Sequence, residues 1–72
     1  MRLPQDPDNW TGDHAEKAVT AAWRLFEVYE AKYDADKPEL TNDLYLQVSH
    51  ACEEARGVIA VTGWVPSRPL PI

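Results

Sequence analysis

Two pairs of side chains on predicted helices have the spacing that helical metal sites use. Glu27 and Glu30 are three residues apart, as are His50 and Glu53, so each pair lies on one helix face. Di-iron bundles place Glu-x-x-His with both groups pointing inward. Here the order is reversed, and His50 and Glu53 lie on the polar side of their helix. Solvated helix charges therefore account for these residues better than a metal site does.

Other residue types that could do chemistry lack the arrangement that it requires. A calcium loop starting at Asp6 needs an oxygen ligand at its fifth position and Glu at its twelfth, where this chain has Trp10 and Lys17. His50 and Cys52 are two residues apart, which on a helix turns them about 200° from each other and prevents a nucleophile–base pair. The glycines are isolated, so there is no phosphate-binding loop. We predict no catalytic residue, no metal and no cofactor, and hence a protein that is not an enzyme.

Length and cysteine content indicate one small domain, residues 1–72, with a marginal core. A chain of 72 residues buries only about 60% of the surface that its unfolded form exposes. The single Cys52 cannot form an internal disulfide. Dimerisation or docking on a partner is therefore the expected source of additional stability.

The net charge of −5 restricts the partners. Direct nucleic-acid binding requires a basic patch and is not expected, whereas a basic protein surface would be attracted. No segment approaches the roughly 20 apolar residues of a membrane helix. Residues 1–10 also lack the apolar run of a secretory signal. We therefore expect a soluble, cytoplasmic protein with no membrane contact.

The strongest structural pattern lies in the first half of the chain. From Ala15 onward, apolar residues recur at intervals of 4, 3, 4, 3 and 4, the spacing of one helix face. They are Ala15, Val19, Ala22, Phe26, Tyr29 and Tyr33. This predicts helix 1 over about residues 13–34, beginning between Thr11 and Asp13. Leu25 widens the apolar stripe on one side and Trp23 on the other.

A second helix closely follows the first and repeats its pattern. Asp36 can cap this helix, and Pro38 suits its first turn. The apolar stripe again steps by 4, 3, 4, 3 and 4, through Leu44, Val48, Ala51, Ala55, Val58 and Thr62, and Tyr45, Cys52 and Ile59 line its adjacent edge. The link between the two helices is only a few residues long, which favours an antiparallel helical hairpin. The predicted fold class is therefore all-α, a two-helix hairpin completed by dimerisation or partner docking.

Gly57 leaves two alternatives for the end of helix 2. If it is a cap, the helix ends there and residues 58–65 form a short β-branched strand. If it lies on the outer face, the helix continues to Thr62 and Gly63 is the cap. We favour helix 2 over about residues 37–62, because a single strand would have no partner in the chain.

The two ends of the chain are rich in proline and are predicted to lie outside the helices. Residues 1–12 should form an extended or turning arm. Residues 63–72 should form an extended tail, with Trp64 and Val65 folded back on the hairpin. The segment PSRPLP within this tail is similar to the polyproline ligands that aromatic grooves bind, although we favour a plain extended tail.

Aromatic content gives the main indication of function. Three Trp and three Tyr are more than a two-helix core is expected to hold, and both residue types are common anchors at protein interfaces. We predict a non-enzymatic protein-interaction module, a regulator or inhibitor, that forms a homodimer or binds a protein with a basic surface. The predicted partner-binding residues are Trp23, Phe26, Glu27, Glu30, Tyr33, Glu53, Glu54 and Trp64.

Two alternatives belong to other functional classes. A small acidic protein can mimic nucleic-acid charge and block a basic groove, as inhibitors from phages and mobile elements do, including blockers of CRISPR effectors. Glu27, Glu30, Glu53 and Glu54 would then supply the charge. A metal-dependent subunit of a helical-bundle enzyme would instead use such carboxylates as ligands.

Overall fold

Two antiparallel helices make up most of the chain. The computed structural model describes the backbone of residues 3–34 and 38–72 and the side chains of residues 3–33 and 41–72. Helix α1 spans Gly12–Asp34 and helix α2 spans Pro38–Thr62. Within the described ranges there is no strand, so the prediction of an all-α helical hairpin is confirmed. The predicted cap at Asp36 lies outside the described residues.

The contacts between the helices fix their antiparallel arrangement. Near the start of α1, Ala18 and Val19 pack with Ala55 of α2. Near its end, the ring of Tyr29 lies 5.9 Å from that of Tyr45. Later residues of α1 therefore contact earlier residues of α2, which is the arrangement that the two matching apolar stripes predict.

Small side chains form much of the core between the helices. The buried residues include Ala15, Ala18, Val19, Ala22, Val48, Cys52, Ala55 and Val58. Alanine has little bulk beyond its Cβ atom, so the helix backbones can approach closely. It also buries little apolar area, and burial stabilises the fold by only about 0.8 kcal/mol for each CH₂ group. Larger side chains at the edges of the two stripes must therefore supply the rest of the apolar contact.

A local hydrogen-bond arrangement sets the start of α1. The N–H of Ala15 donates to the carbonyl of Thr11 at 3.1 Å. The N–H of Thr11 in turn donates to Nδ1 of His14 at 3.0 Å. This is the capping-box arrangement with His in place of Glu or Gln at the third helical position.

Helix α2 continues through Gly57 and ends at Gly63. A Cβ atom at Gly57 would have no neighbouring atom within 4 Å, so the glycine lies on the open outer face. Gly63 has φ of 73°, and its N–H donates to the carbonyl of Ile59 at 2.8 Å. A left-handed residue with this bond is a common helix C-cap. The helix therefore follows the longer of the two alternatives.

The N-terminal arm contains a short 3₁₀ helix, Pro7–Asn9, which the sequence pattern did not indicate. The Asp6 carboxylate accepts the N–H of Asp8 at 3.0 Å, an Asx-type turn that favours this conformation. Trp10 follows the turn, and its indole N–H donates to the carbonyl of Pro4 at 2.9 Å. The arm is thus folded on itself and also lies against α2.

The C-terminal tail returns along one side of the hairpin. Leu70 packs against both groups of buried core residues, the one around Val19 and the one around Val48. The guanidinium of Arg56 in α2 donates to the backbone carbonyl of Ile72. The tail thus supplies a large aliphatic side chain to a core that is built mainly from small ones.

Trp64 attaches the beginning of the tail to the start of α1. It packs against the core around Val19, and a Cβ atom added to Gly12 would lie 3.1 Å from its Cδ1. Val65, in contrast, is 81% exposed. The expectation that Val65 folds back with Trp64 is therefore wrong, because successive side chains of an extended segment point to opposite sides.

Candidate protein-binding surface

A row of aromatic rings runs along one side of the hairpin. Trp23, Phe26, Tyr29 and Tyr33 follow one another at helical spacing, with successive ring centroids 5.8, 6.1 and 6.2 Å apart. Tyr45 of α2 joins the row at Tyr29. We name these five residues the aromatic ladder. The distances between neighbouring ring centroids are in the range at which aromatic pairs attract each other.

The exposure of the aromatic ladder increases toward the end of α1. Trp23, Phe26 and Tyr29 are half-buried. Tyr33 is 66% exposed and Tyr45 is 48% exposed. The rings at this end therefore leave apolar surface in water that neither the helices nor the tail covers.

The opposite end of the ladder is covered by the tail. The Cζ atom of Arg68 lies 3.6 Å from the ring centroid of Trp23, which is a cation–π contact. A cleft of about 360 Å³ surrounds this pair, and its other charged lining residues are Glu16, Arg24 and Glu27. We name it the Trp23 cleft. The lining of the cleft thus holds two carboxylates and two guanidinium groups, one of which lies over the Trp23 ring.

Trp23 also has an unpaired polar atom. Its Nε1 is buried and has no hydrogen-bond partner among the described residues. Leaving a buried donor unpaired costs about 1–3 kcal/mol. Trp23 is thus held by ring contacts with Phe26 and Arg68 rather than by a hydrogen bond, and the packing around it must offset that cost.

A shallower groove lies between the helices on another side of the hairpin. Its volume is about 270 Å³, and its lining includes Ala18, Ala21 and Leu25 of α1 with His50, Ala51 and Glu54 of α2. The floor is formed by small side chains, so the groove offers no large aromatic anchor. It shares no lining residue with the Trp23 cleft.

The predicted partner-binding residues divide among these surfaces. Trp23, Glu27 and Trp64 line the Trp23 cleft, and Phe26 contacts Trp23 edge to face. Tyr33 lies at the exposed end of the ladder.

The remaining three predicted residues are acidic and exposed. Glu30 is on α1, and helical spacing places it beside Phe26 and Tyr33. Glu53 is exposed on α2, and Glu54 lines the separate groove. The four predicted glutamates therefore do not share one cleft.

Four further residues belong to this surface but were not among those predicted for it. Tyr29 and Tyr45 were assigned only to the apolar stripes. Their large aromatic rings could have indicated a binding role, because such side chains are common at protein interfaces. Arg68 and Leu70 were noted only as part of the proline-rich segment. Their contacts with α1 and α2 join residues that are far apart in the chain, and no local spacing indicates such contacts.

The groups considered for catalysis lie apart. His50 is exposed, whereas Cys52 is completely buried. Across the described residues, no group of three or more His, Cys, Asp or Glu side chains is placed to hold a metal ion. No helix in the described part of the chain is long and apolar enough to cross a membrane.

No protein-family model matches the chain, and no curated protein or solved structure matches it. The features that bear on function are the aromatic ladder, its acidic neighbours and the tail that covers one end of it.

Proposed function

We propose that this chain is a non-enzymatic protein-binding module, a regulator or inhibitor that attaches to a partner through the aromatic ladder. The observation that supports it is the uncovered end, where Tyr33 and Tyr45 are 66% and 48% exposed. Tyrosine provides a large contact area and loses little side-chain conformational entropy on binding. It is also enriched among the hot-spot residues of protein interfaces.

Charge indicates the kind of partner surface. Glu27 and Glu30 are exposed on α1, one turn away from ladder residues Trp23 and Phe26. Aromatic rings with carboxylates beside them attract Lys and especially Arg side chains. The chain itself contains this contact, between Arg68 and Trp23. The preferred partner therefore has a basic surface.

The same surface can serve a second copy of the chain, which is the homodimer expected from the sequence. The charge-mimic alternative has less support. A substitute for nucleic acid needs closely spaced negative charges along one line, whereas Glu27 and Glu54 line different depressions.

The test compares two double variants that remove similar exposed apolar surface. Tyr33→Ser with Tyr45→Ser removes the uncovered end of the ladder, whereas Val61→Ser with Val65→Ser changes residues that are 51% and 81% exposed and lie outside it. Proteins captured from native extracts by the wild-type chain are purified and titrated calorimetrically against all three. For a partner of the ladder, the tyrosine variant should lose about 2 kcal/mol, or about 30-fold in Kd, and the valine variant should bind like wild type.

Light scattering on the chain alone separates a second copy from a different protein. If the wild-type chain is a dimer that the tyrosine variant cannot form, the partner is a second copy. If every captured protein binds the tyrosine variant with unchanged affinity and the chain is monomeric, the proposal is wrong.

A further inference from the structure

The structure shows a segment of the chain bound to its own hairpin in the manner of a peptide ligand. Residues 64–72 are neither helix nor strand, and they contact the hairpin through separate side chains. Arg68 stacks on Trp23, and Leu70, two residues later, packs against the core around Val48. The backbone bends at Ser67 and Arg68, and a segment without regular structure that carries a cation and an aliphatic anchor is the chemistry of a short linear motif.

The hairpin surface under this segment is complementary to it. Without Arg68, the charged residues that line the Trp23 cleft are Glu16, Glu27 and Arg24, which sum to −1; with Arg68 the sum is zero. Planar stacking on Trp23 adds a preference for guanidinium over ammonium. Trp23 belongs both to this cleft and to the aromatic ladder, so a partner protein that occupies the cleft lies next to the ladder.

We propose that the Trp23 cleft is a binding site for an Arg-Pro-Leu segment of a partner protein, and that the tail is its internal occupant, which such a partner displaces. This rests on the proposed function and adds to it a ligand class and a means of regulation. The tail holds the site closed until a competing segment replaces Arg68 and Leu70.

A different protein fits this role better than the tail of a second copy. Exchange of tails alone replaces each contact with an identical one, and association still costs translational and rotational freedom. A partner that also contacts Tyr33 or Tyr45, which the tail leaves exposed, gains contacts that the tail does not make. These extra contacts are what allow it to compete with an occupant that is already attached.

The experiment opens the site in the full chain and offers it the segment as a separate peptide. Arg68→Ala with Leu70→Ala removes the two side chains that occupy the site and leaves Trp64 and the hydrogen bond from Arg56 to the Ile72 carbonyl in place. The probe is a fluorescein-labelled peptide, PSRPLPI, followed by fluorescence anisotropy. The opened chain should bind it at least about tenfold more tightly than wild type, because the attached tail competes at an effective concentration in the millimolar range.

Peptide variants test the chemistry of recognition. Replacing the arginine of the peptide by lysine keeps its charge and should weaken binding to the opened chain several-fold, and replacing the leucine by alanine should weaken it about tenfold. Helical circular dichroism checks that the opened chain is folded. Arg68→Ala alone, which retains Leu70, serves as the milder opening and should give a smaller gain in peptide affinity over wild type.

Several results would overturn the inference. The opened chain could bind the peptide no better than wild type, or bind the lysine-for-arginine and alanine-for-leucine peptides as tightly as the original peptide. The wild-type chain could be a dimer that Arg68→Ala with Leu70→Ala abolishes, in which case the tail is exchanged between copies. None of these depends on Tyr33 or Tyr45, so a loss of partner binding in the tyrosine variant would still support the proposed function.

Discussion

Gly57 within α2 and Gly63 directly after its end are predicted to respond in opposite ways to the same substitution. Gly57→Ala should stabilise the fold by about 0.5–1 kcal/mol, because alanine restricts the unfolded chain and favours the helix. The new methyl group meets nothing within 4 Å, so no steric term opposes this gain. Gly63→Ala should cost about 1 kcal/mol, because φ of 73° is unfavourable for a residue with a Cβ atom.

Urea unfolding followed by circular dichroism at one fixed protein concentration measures both changes. The midpoint should rise for Gly57→Ala and fall for Gly63→Ala with unchanged m-values, since neither residue alters the surface exposed on unfolding. Thermal midpoints should move by about 4–8 °C for each kcal/mol in a domain of this size. The stability of the double variant should be close to that of wild type. The two sites share no contact, so their changes should add, and the two changes have opposite signs.

The signs of the two changes in stability test whether α2 continues through Gly57 to Thr62. If α2 ended at Gly57, that glycine would be the one with the left-handed conformation, and Gly57→Ala would destabilise the protein. A destabilised Gly57→Ala chain together with a neutral Gly63→Ala chain would therefore refute the continuous helix to Thr62.

Three further predictions concern single residues. Val58→Ala should destabilise the fold by about 2 kcal/mol in urea unfolding. Val58 is 0% exposed, and the substitution removes two buried methyl groups and leaves a cavity. A loss of stability near that of the exposed control Val61→Ala would contradict this. His14→Ala should cost about 0.5–1 kcal/mol by the same assay, because the Thr11 N–H loses its acceptor, and His14→Gln should recover most of that loss. Cys52, buried at 0% exposure, should react with a thiol reagent far more slowly in buffer than in denaturing urea, and equal rates would show that the core around it is open.

Much of the hairpin could be predicted from the sequence because its signals are local. Apolar spacing of three and four residues identified both helices. Gly63 could be recognised as a C-cap because a glycine just after a periodic segment is a helix-stop signal. The turning arm predicted for residues 1–12 contains the 3₁₀ helix Pro7–Asn9, and the Asp6 carboxylate that supports it lies next to it in the chain.

The candidate surface was less predictable because its contacts are not local. The stacking of Arg68 on Trp23 joins residues that are 45 positions apart, and neither side chain has a spacing that indicates the other. The separation of Glu27 from Glu54 depends on how each helix is rotated about its axis. A periodic pattern shows which face is apolar but leaves the rotation open by tens of degrees, enough to move a carboxylate from one cleft to another.

The sequence by itself determined that two helices form, that they pair along stripes of equal spacing, and that more aromatic side chains are present than their core can hold. The helices and their pairing follow from the fixed geometry of a helix, because apolar residues three and four positions apart lie on one face, which is the face that is buried. Only the tertiary structure decided that the tail covers Trp23 and leaves Tyr33 and Tyr45 exposed. A tail without regular structure has no periodicity of its own, so its position depends on the shape and charge of the surface that receives it.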